Sequence, residues 1–246
     1  MTAPTRRERL RTATVAEIKQ GARHLLVDGG TEAVSLRAIA RDMGMTAPAI
    51  YRYFPSLEAL VVELAGDLYD ELRGTVEAAR DTAGDDPVDR LLAMLRAFRR
   101  WSVEHPAEFS LILGRPVPGM IEFMRQCDID QPGARLGAVF LEPLCLLADR
   151  GRLPDPAAPA LERQLGDRLS PLFQRVHGAL PPGVAYAFLA CWTRLYGLIA
   201  TEVFHHLDWA LTEPEKLFEI ELTGLAGQLR GAPVRRDGSP PPPGSH

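Results

Sequence analysis

The stretch from Ser35 to Phe54 constrains the fold more than any other part of this chain. Its apolar residues recur every three or four positions between Leu36 and Met43, which is the spacing of one face of an α-helix. Ser35 is a favourable N-cap for that helix, and Gly44 can end it because glycine accepts the left-handed conformation. The segment is therefore predicted to open with one short helix and a tight turn.

A second short helix is predicted to follow the turn. Thr46 is its expected N-cap, and Pro48 lies in its first turn, where the missing N–H breaks no intrahelical hydrogen bond. Ile50 and Phe54 are four residues apart, so both can pack back onto the first helix. Two short helices joined by a glycine-containing turn make a helix-turn-helix. A plain αα-hairpin with surface tyrosines is the alternative.

The outward face of the second helix has the composition of a DNA-reading surface. Small side chains at its start can enter the major groove, where Ala, Thr and Pro carbons can touch thymine methyl groups. Tyrosine and arginine side chains further on can donate hydrogen bonds to phosphates and fix the register. The predicted DNA-binding residues are Ser35, Thr46, Ala47, Pro48, Ala49, Tyr51, Arg52 and Tyr53.

Residues 15–64 resemble the DNA-binding domain of the TetR family of transcriptional regulators. The matching positions are Ile18, Ala22, Gly29, Gly30, Ser35–Ala40, Met43–Thr46, Ile50–Phe54 and Ser56–Leu60. The family usually has a lysine at the second position after the phenylalanine-proline turn, and this chain has Leu57 there. The resemblance implies an all-α fold in which a three-helix DNA-binding head precedes a helical body that binds a ligand and dimerises.

A looser resemblance covers roughly residues 88–210. The segments Trp101–Pro106, Gly114–Gly119 and Trp192–Gly197 resemble the WHG type of TetR C-terminal domain, with Tyr196 in place of the usual histidine. By this resemblance the chain is a DNA-binding regulator, most often a repressor that a small molecule releases.

Breaks in the helical pattern predict the division of the chain. We expect a helix-turn-helix domain at 12–60, a linking helix at about 56–80 and a helical ligand-binding and dimerisation domain at 86–230. The segments 1–11 and 231–246 are expected to be flexible tails. The first tail carries four arginines, so it either lies near the DNA backbone or minor groove or is simply solvated.

The first helix of the head is expected near Thr14–Asp28. Its outward Lys19 and Arg23 are predicted to face phosphates. The charge distribution agrees with a DNA-reading head, although chance clustering is the alternative. Residues 1–55 hold nine basic and five acidic side chains, whereas the whole chain has a net charge of −4.

Cysteine usage and hydropathy predict a cytoplasmic protein. Cys127, Cys145 and Cys191 are an odd number at wide spacing, which fits a reducing compartment and forms no metal motif. The richest apolar run, Val184–Leu198, is interrupted by Arg194 and is shorter than the roughly 18 residues that a membrane helix needs. No enzymatic signature is present, so we predict no catalytic residue, no metal and no cofactor.

Aromatic residues in the body predict a mainly apolar ligand site, the alternative being an ordinary helical core. Arg194 lies in an apolar stretch and needs a partner if it is buried; Glu142, Glu202 or a ligand carboxylate are candidates. No basic cluster marks the body, so an apolar or aromatic effector is favoured over a nucleotide. The predicted ligand-binding residues are Trp101, Phe109, Phe123, Trp192, Arg194 and Tyr196.

The segment Gly183–Leu207 is apolar on nearly every face, which predicts a helix that meets both the core and a second subunit. We therefore expect a two-fold homodimer through this segment and Asp155–His177. Two rival functions stay open at the level of sequence. One is a constitutive DNA-binding or protein-interaction module without a ligand, and the other is a helical-bundle enzyme.

Overall fold

A computed structural model describes residues 5–114, 132–153 and 180–231. All regular structure within these ranges is helical, which confirms the predicted all-α class. The α-helices are α1 Arg6–Gly29, α2 Leu36–Asp42, α3 Ala47–Ile50, α4 Leu57–Thr82, α5 Pro87–Glu104, α6 Pro106–Leu113, α7 Pro132–Asp149, α8 Pro182–Val203 and α9 Pro214–Gly231. A single 3₁₀ turn, Thr31–Ala33, joins α1 to α2.

The chain divides into two compact units. Unit 1 comprises residues 1–75 and 98–136, and unit 2 comprises residues 76–97 and 137–246. This division differs from the predicted one, because unit 1 also takes in α6 and parts of α4 and α5. The functional division into 12–60 and 86–230 stays a prediction.

The core of unit 1 is built from the apolar faces of its helices. In α1 the buried side chains recur at helical spacing, at Ile18, Ala22 and Leu26. The long helix α4 contributes a second stripe, and Phe98 and Phe109 close the core from α5 and α6. Further buried members of unit 1 are Leu36, Ile39, Ala40, Ile50, Phe54, Leu60, Leu64, Leu68 and Leu72.

Helix α1 begins earlier than predicted. Thr5 and Glu8 form a capping box in which the Thr5 N–H donates to Glu8 Oε2 at 2.6 Å and the Glu8 N–H donates to Thr5 Oγ1 at 3.3 Å. The prediction of a flexible arm over 1–11 is therefore wrong from Arg6 onward. The predicted end of the helix is confirmed, because Gly30 follows it with a φ of 72°.

Unit 2 is held by an apolar contact between α8 and α9 and by ion pairs around it. Leu195 and Ile199 of α8 are buried, as are Phe218 and Leu222 of α9. Charged pairs link its other helices: Arg80 with Glu142 at 2.6 Å, and Arg96 with Glu219 at 2.7 Å. Asp86 caps α5 as predicted, since its carboxylate accepts the Val88 N–H at 2.7 Å.

Helix α8 ends at Val203, four residues before the predicted Leu207, and His205 follows with a φ of 58°. Among the described helices, α8 is the one long and apolar enough to cross a membrane by length and composition, a test that core helices of soluble proteins also pass. Three predicted features lie outside the described residues: Phe123, the dimerisation segment Asp155–His177 and nearly all of the tail 231–246.

Candidate nucleic-acid interface

Helix α2 is fixed at both ends by local hydrogen bonds. At its start the Ala38 N–H donates to Ser35 Oγ at 3.2 Å, so Ser35 is the N-cap that the sequence predicts. At its end the Met45 N–H donates to the Ala40 carbonyl at 2.8 Å, and Gly44 has a φ of 64°. This is a Schellman motif, which turns the chain sharply and starts the next helix in a fixed direction.

Helix α3 is short but firmly seated. It has four residues, Ala47–Ile50, and its backbone is extended by bonds from the Tyr53 and Phe54 N–H groups to the Ile50 carbonyl, at 2.9 and 3.1 Å. Ile50 and Phe54 are 0% and 1% exposed, so they anchor the α3 segment, Thr46–Phe54, to the core of unit 1. The predicted packing of these two residues is confirmed.

The opposite face of the segment is open to solvent. Thr46, Ala47, Pro48, Tyr51 and Arg52 are exposed. The Thr46 side chain makes no capping hydrogen bond, which leaves its hydroxyl for another partner. The structure thus brings the small and the hydrogen-bonding candidates together on one surface. Of the remaining candidates, Ala49, Tyr53 and Ser35 are partly covered.

Arg11 of α1, one of the four arginines within residues 1–11, contacts a member of this surface. Its guanidinium carbon lies 5.4 Å from the centroid of the Tyr53 ring, within the range of a cation–π contact. This contact brings a positive charge from the first turns of α1 to the end of the α3 segment. Because 42 residues separate the partners, no local sequence pattern could have predicted it.

Two other basic residues of α1 are already paired with carboxylates. Lys19 Nζ lies 2.5 Å from Asp67, and Arg23 bonds Glu71 at 2.7 Å and Glu108 at 3.0 Å. The hydrogen bond that Arg23 donates to Glu71 is the main reason that the pKa of Arg23 is raised. The expectation that Lys19 and Arg23 face phosphates is therefore wrong, because α4 and α6 carry acidic groups at the matching positions.

Glu71 is the centre of this charged cluster. It also accepts a hydrogen bond from the Trp101 indole N–H at 2.9 Å. Partial burial would raise the pKa of Glu71, but the bonds from Arg23 and Trp101 outweigh burial and hold that pKa below its ordinary value. The cluster ties four helices of unit 1, α1, α4, α5 and α6, to one another.

Two of the predicted ligand-binding residues belong to unit 1 and are fully buried. Trp101 is 3% exposed, and its ring stacks on His105 at a centroid distance of 5.0 Å. Phe109 is 0% exposed and packs against Phe98 at 6.5 Å. Both side chains serve the core of unit 1, so the core interpretation holds for them within the described residues.

Three more of the predicted ligand-binding residues belong to α8 in unit 2. Trp192 stacks on Tyr196 at 5.5 Å and on Phe188 at 6.5 Å, and these rings form a ladder along one side of the helix. Burial raises the pKa of the Tyr196 hydroxyl. Arg194 is partly exposed and pairs with Glu221.

The partner of Arg194 differs from those that the sequence suggested. Glu221 lies on α9, and Glu142 is instead bonded by Arg80. Glu221 is 27 residues away in sequence, so only the packing of α8 on α9 reveals the pair. Among the described residues, no three His, Cys, Asp or Glu side chains are grouped so that they could hold a metal ion.

Comparisons with known proteins agree with this geometry. Residues 18–64 match the family model described as bacterial regulatory proteins, tetR family, and residues 91–225 match the model described as Tetracyclin repressor-like, C-terminal domain. The HTH-type transcriptional regulator Mb1846 of Mycobacterium bovis is 32% identical in an alignment of 225 positions that covers 87% of this chain and 91% of that protein.

Two further proteins are similar to this chain. The crystal structure of the protein SCO4313 superposes with a TM-score of 0.70 at 30% identity, covering 91% of this chain and 100% of that one. The HTH-type transcriptional repressor KstR of Mycolicibacterium smegmatis is 32% identical over 101 residues, which are 41% of this chain and 45% of that protein. With the helix-turn-helix of α2 and α3 inside one family model and more than half of the sequence inside the other, the chain belongs to the TetR family of DNA-binding transcriptional regulators.

Proposed function

We propose that this regulator is a cytoplasmic repressor that binds operator DNA as a homodimer and is released by a small apolar or aromatic molecule. The observation that carries the proposal is the α3 segment, whose outer face is exposed while Ile50 and Phe54 beneath it are buried. A surface held this rigidly can keep its side chains in register with a DNA groove. The name of the partial relative KstR, a transcriptional repressor, supports repression as the mode of regulation.

The proposed DNA contacts divide into two sets. Ala47, Pro48 and Ala49 face base edges, since small side chains let the helix come close to the major groove. Thr46, Tyr51 and Tyr53 donate hydrogen bonds to phosphates, and these bonds set position rather than sequence preference. The remaining members of the proposed interface are Arg52, which supplies charge, and Ser35, at the start of α2.

Substitutions in the two sets should behave differently. We expect Tyr51→Phe to weaken binding by a similar factor on a duplex selected by the wild-type chain and on an unrelated duplex. Ala49→Leu should mainly lose binding to the selected duplex, because the larger side chain obstructs the groove. Ala78→Leu, at an exposed alanine of α4, is the matched control for Ala49→Leu.

Fluorescence anisotropy titrations with both duplexes would measure these effects. If Tyr51→Phe and Ala49→Leu both bound like the wild type, α3 would not be the DNA-reading helix.

The dimer is proposed from the composition and exposure of α8. Tyr186 is 43% exposed, and Trp192 and Tyr196 are only partly covered, although the helix is apolar on nearly every face. Among the described residues, a Cβ added at Gly197 would meet nothing within 4 Å. A stable dimer interface buries on the order of 2,000 Å² or more.

Sedimentation equilibrium at micromolar concentration tests this assembly. We expect the wild type to be a dimer and Gly197→Arg to be a folded monomer, since no described residue lies within 4 Å of a Cβ at position 197 and the proposed interface would bury the added charge. A dimer can present two heads to successive major grooves, about 34–36 Å apart. A wild-type monomer would overturn the proposal.

The proposed effector site lies along α8, at Trp192, Arg194 and Tyr196, since Trp101 and Phe109 belong to the core of unit 1 and Phe123 lies outside the described residues. Support comes from the ring ladder of α8, which offers flat apolar area to an aromatic molecule, with the Tyr196 hydroxyl as a polar group beside it. To release DNA, the molecule must bind the DNA-incompetent state more tightly. A preference of about 1–3 kcal/mol would change operator affinity roughly 5–150-fold.

Mass spectrometry of small molecules retained on the purified protein would identify the effector. Operator affinity is then measured with and without it, in the wild type and in Trp192→Ala. Binding that leaves operator affinity unchanged would instead favour a constitutive DNA-binding module. Coupling that survives Trp192→Ala at full strength would remove that residue from the site.

A further inference from the structure

The first turns of α1 form a basic helix that projects from the head. Residues 6–13 are all exposed, and the first fully buried side chain of the helix is Ile18. Four of the first six helical residues are arginines, at positions 6, 7, 9 and 11. The capping box of Thr5 and Glu8 holds this end in helical form and occupies the Glu8 carboxylate, the one acidic group in the run.

The contact between Arg11 and Tyr53 fixes which side of this helix faces the α3 segment. An α-helix turns by about 100° per residue, so Arg7 lies about 40° from Arg11 and one turn further out. On the same basis Arg9 lies about 160° from Arg11, on the opposite side. Arg7 is therefore on the side of the proposed DNA surface, and Arg9, which is also exposed, points away from it.

Ion pairing with carboxylates distinguishes the other basic residues of α1 from these arginines. Lys19 and Arg23 bond carboxylates of unit 1, whereas Arg7 has no carboxylate partner among the described residues. Its positive charge is thus not neutralised by any carboxylate of the described residues. Duplex DNA carries one negative charge per about 1.7 Å of its axis, so a backbone phosphate can lie within reach of a guanidinium one helical turn from Arg11.

We propose that the first two turns of α1 are a second DNA contact, with Arg7 on a backbone phosphate beside the groove that α3 enters. The inference deepens the proposed function and rests on it. The contact is to the backbone and not to bases in the minor groove. A helix with its side chains is about 10–12 Å across and the minor groove is about 6 Å wide, so the helix itself cannot lie in the minor groove.

The salt dependence of binding tests this contact. Anisotropy titrations of the full chain, over a series of KCl concentrations, compare Arg7→Gln with Arg9→Gln on a selected and an unrelated duplex. Each lost phosphate contact lowers the slope of log affinity against log salt by about 0.9 per protomer. Between 50 and 200 mM salt, Arg7→Gln should therefore lose about 3.5-fold less affinity per protomer than the wild type does.

The variants at positions 7 and 9 carry the same change in net charge on the same helix. We expect Arg7→Gln to weaken binding on both duplexes, Arg7→Lys to keep most of the slope, and Arg9→Gln to match the wild type. Equal slopes for Arg7→Gln and Arg9→Gln would overturn the inference, whether both fell or neither did. If the wild type selected no duplex at all, the proposed function itself would fail, and the two failures are thus distinguishable.

Discussion

Replacing Arg23 by methionine removes the one partner that the described residues provide for the buried carboxylate of Glu108. The Glu108 side chain is 4% exposed and bonds Arg23 Nε at 3.0 Å, whereas the Arg23 side chain is 29% exposed. Breaking a fully buried ion pair costs about 3–5 kcal/mol, and an exposed pair contributes about 0–1 kcal/mol. Because one partner is buried and the other reaches solvent, we expect Arg23→Met to lower the free energy of unfolding by about 2–3 kcal/mol.

The other half of the pair should behave differently. Glu108→Met leaves Arg23 with two hydrogen bonds to Glu71, at 2.7 and 3.1 Å, so we expect a loss of about 1 kcal/mol or less. The double variant removes the buried charge together with its partner and replaces both by apolar groups. It should therefore be more stable than Arg23→Met alone and lie within about 1 kcal/mol of the wild type.

Urea unfolding followed by tryptophan fluorescence measures this cycle. The chain has three tryptophans, and only Trp101 touches the charged cluster, through its bond to Glu71. A background carrying Trp192→Phe and Trp209→Phe therefore reports on unit 1. If the double variant were no more stable than Arg23→Met, the buried charge of Glu108 would not be the source of the loss.

Three further outcomes follow from single positions. The stability that Glu71 contributes is present at neutral pH and is lost as pH falls through its lowered pKa. In urea unfolding, the difference in free energy of unfolding between the wild type and Glu71→Gln should therefore narrow below about pH 4. The exposed control Glu63→Gln should have the same free energy of unfolding as the wild type. Gly44→Ala should cost about 1 kcal/mol of thermal stability because φ is positive there. Gly74→Ala, inside α4 with free space around it, should add about 0.5–1 kcal/mol. Stability changes of the same sign for both variants would contradict the argument. Burial raises the pKa of Cys191 to about 11, so iodoacetamide at pH 8 should label it slowly in the folded chain and rapidly in urea, as peptide mass spectrometry would show.

The helix-turn-helix was predictable because its determinants are local. The Ser35 cap, the left-handed Gly44 and the buried pair Ile50 and Phe54 all lie within 20 residues. Each favours one local role: an N-cap, a left-handed turn and burial, respectively. The early start of α1 was also encoded locally, since Thr5-Arg-Arg-Glu8 is a capping-box sequence. The run of arginines after it has no apolar period, however, and such a composition favours a solvated tail over a helix.

Contacts between distant helices could not be predicted in the same way. Arg23 and Glu108 are 85 residues apart, and Arg194 and Glu221 are 27 apart. Outward position on α1 suggested a solvent-facing Arg23, but helices α4 and α6 cover that side with carboxylates. A charged side chain can bind a partner only if no neighbouring helix already pairs its charge. Only the packed structure shows whether such a neighbour is present.

The brevity of α3 has a consequence for how this regulator can be switched off. An isolated helix shorter than about 12–15 residues is marginal in water, and α3 has only four. Its order therefore comes from the docking of Ile50 and Phe54, so the proposed DNA-reading surface unfolds whenever that docking is lost. A signal that loosens the head by a few kcal/mol would erase the recognition surface through local unfolding, with no need to move one head relative to the other. Amide hydrogen exchange at Tyr53 and Phe54 would then rise together as operator binding falls.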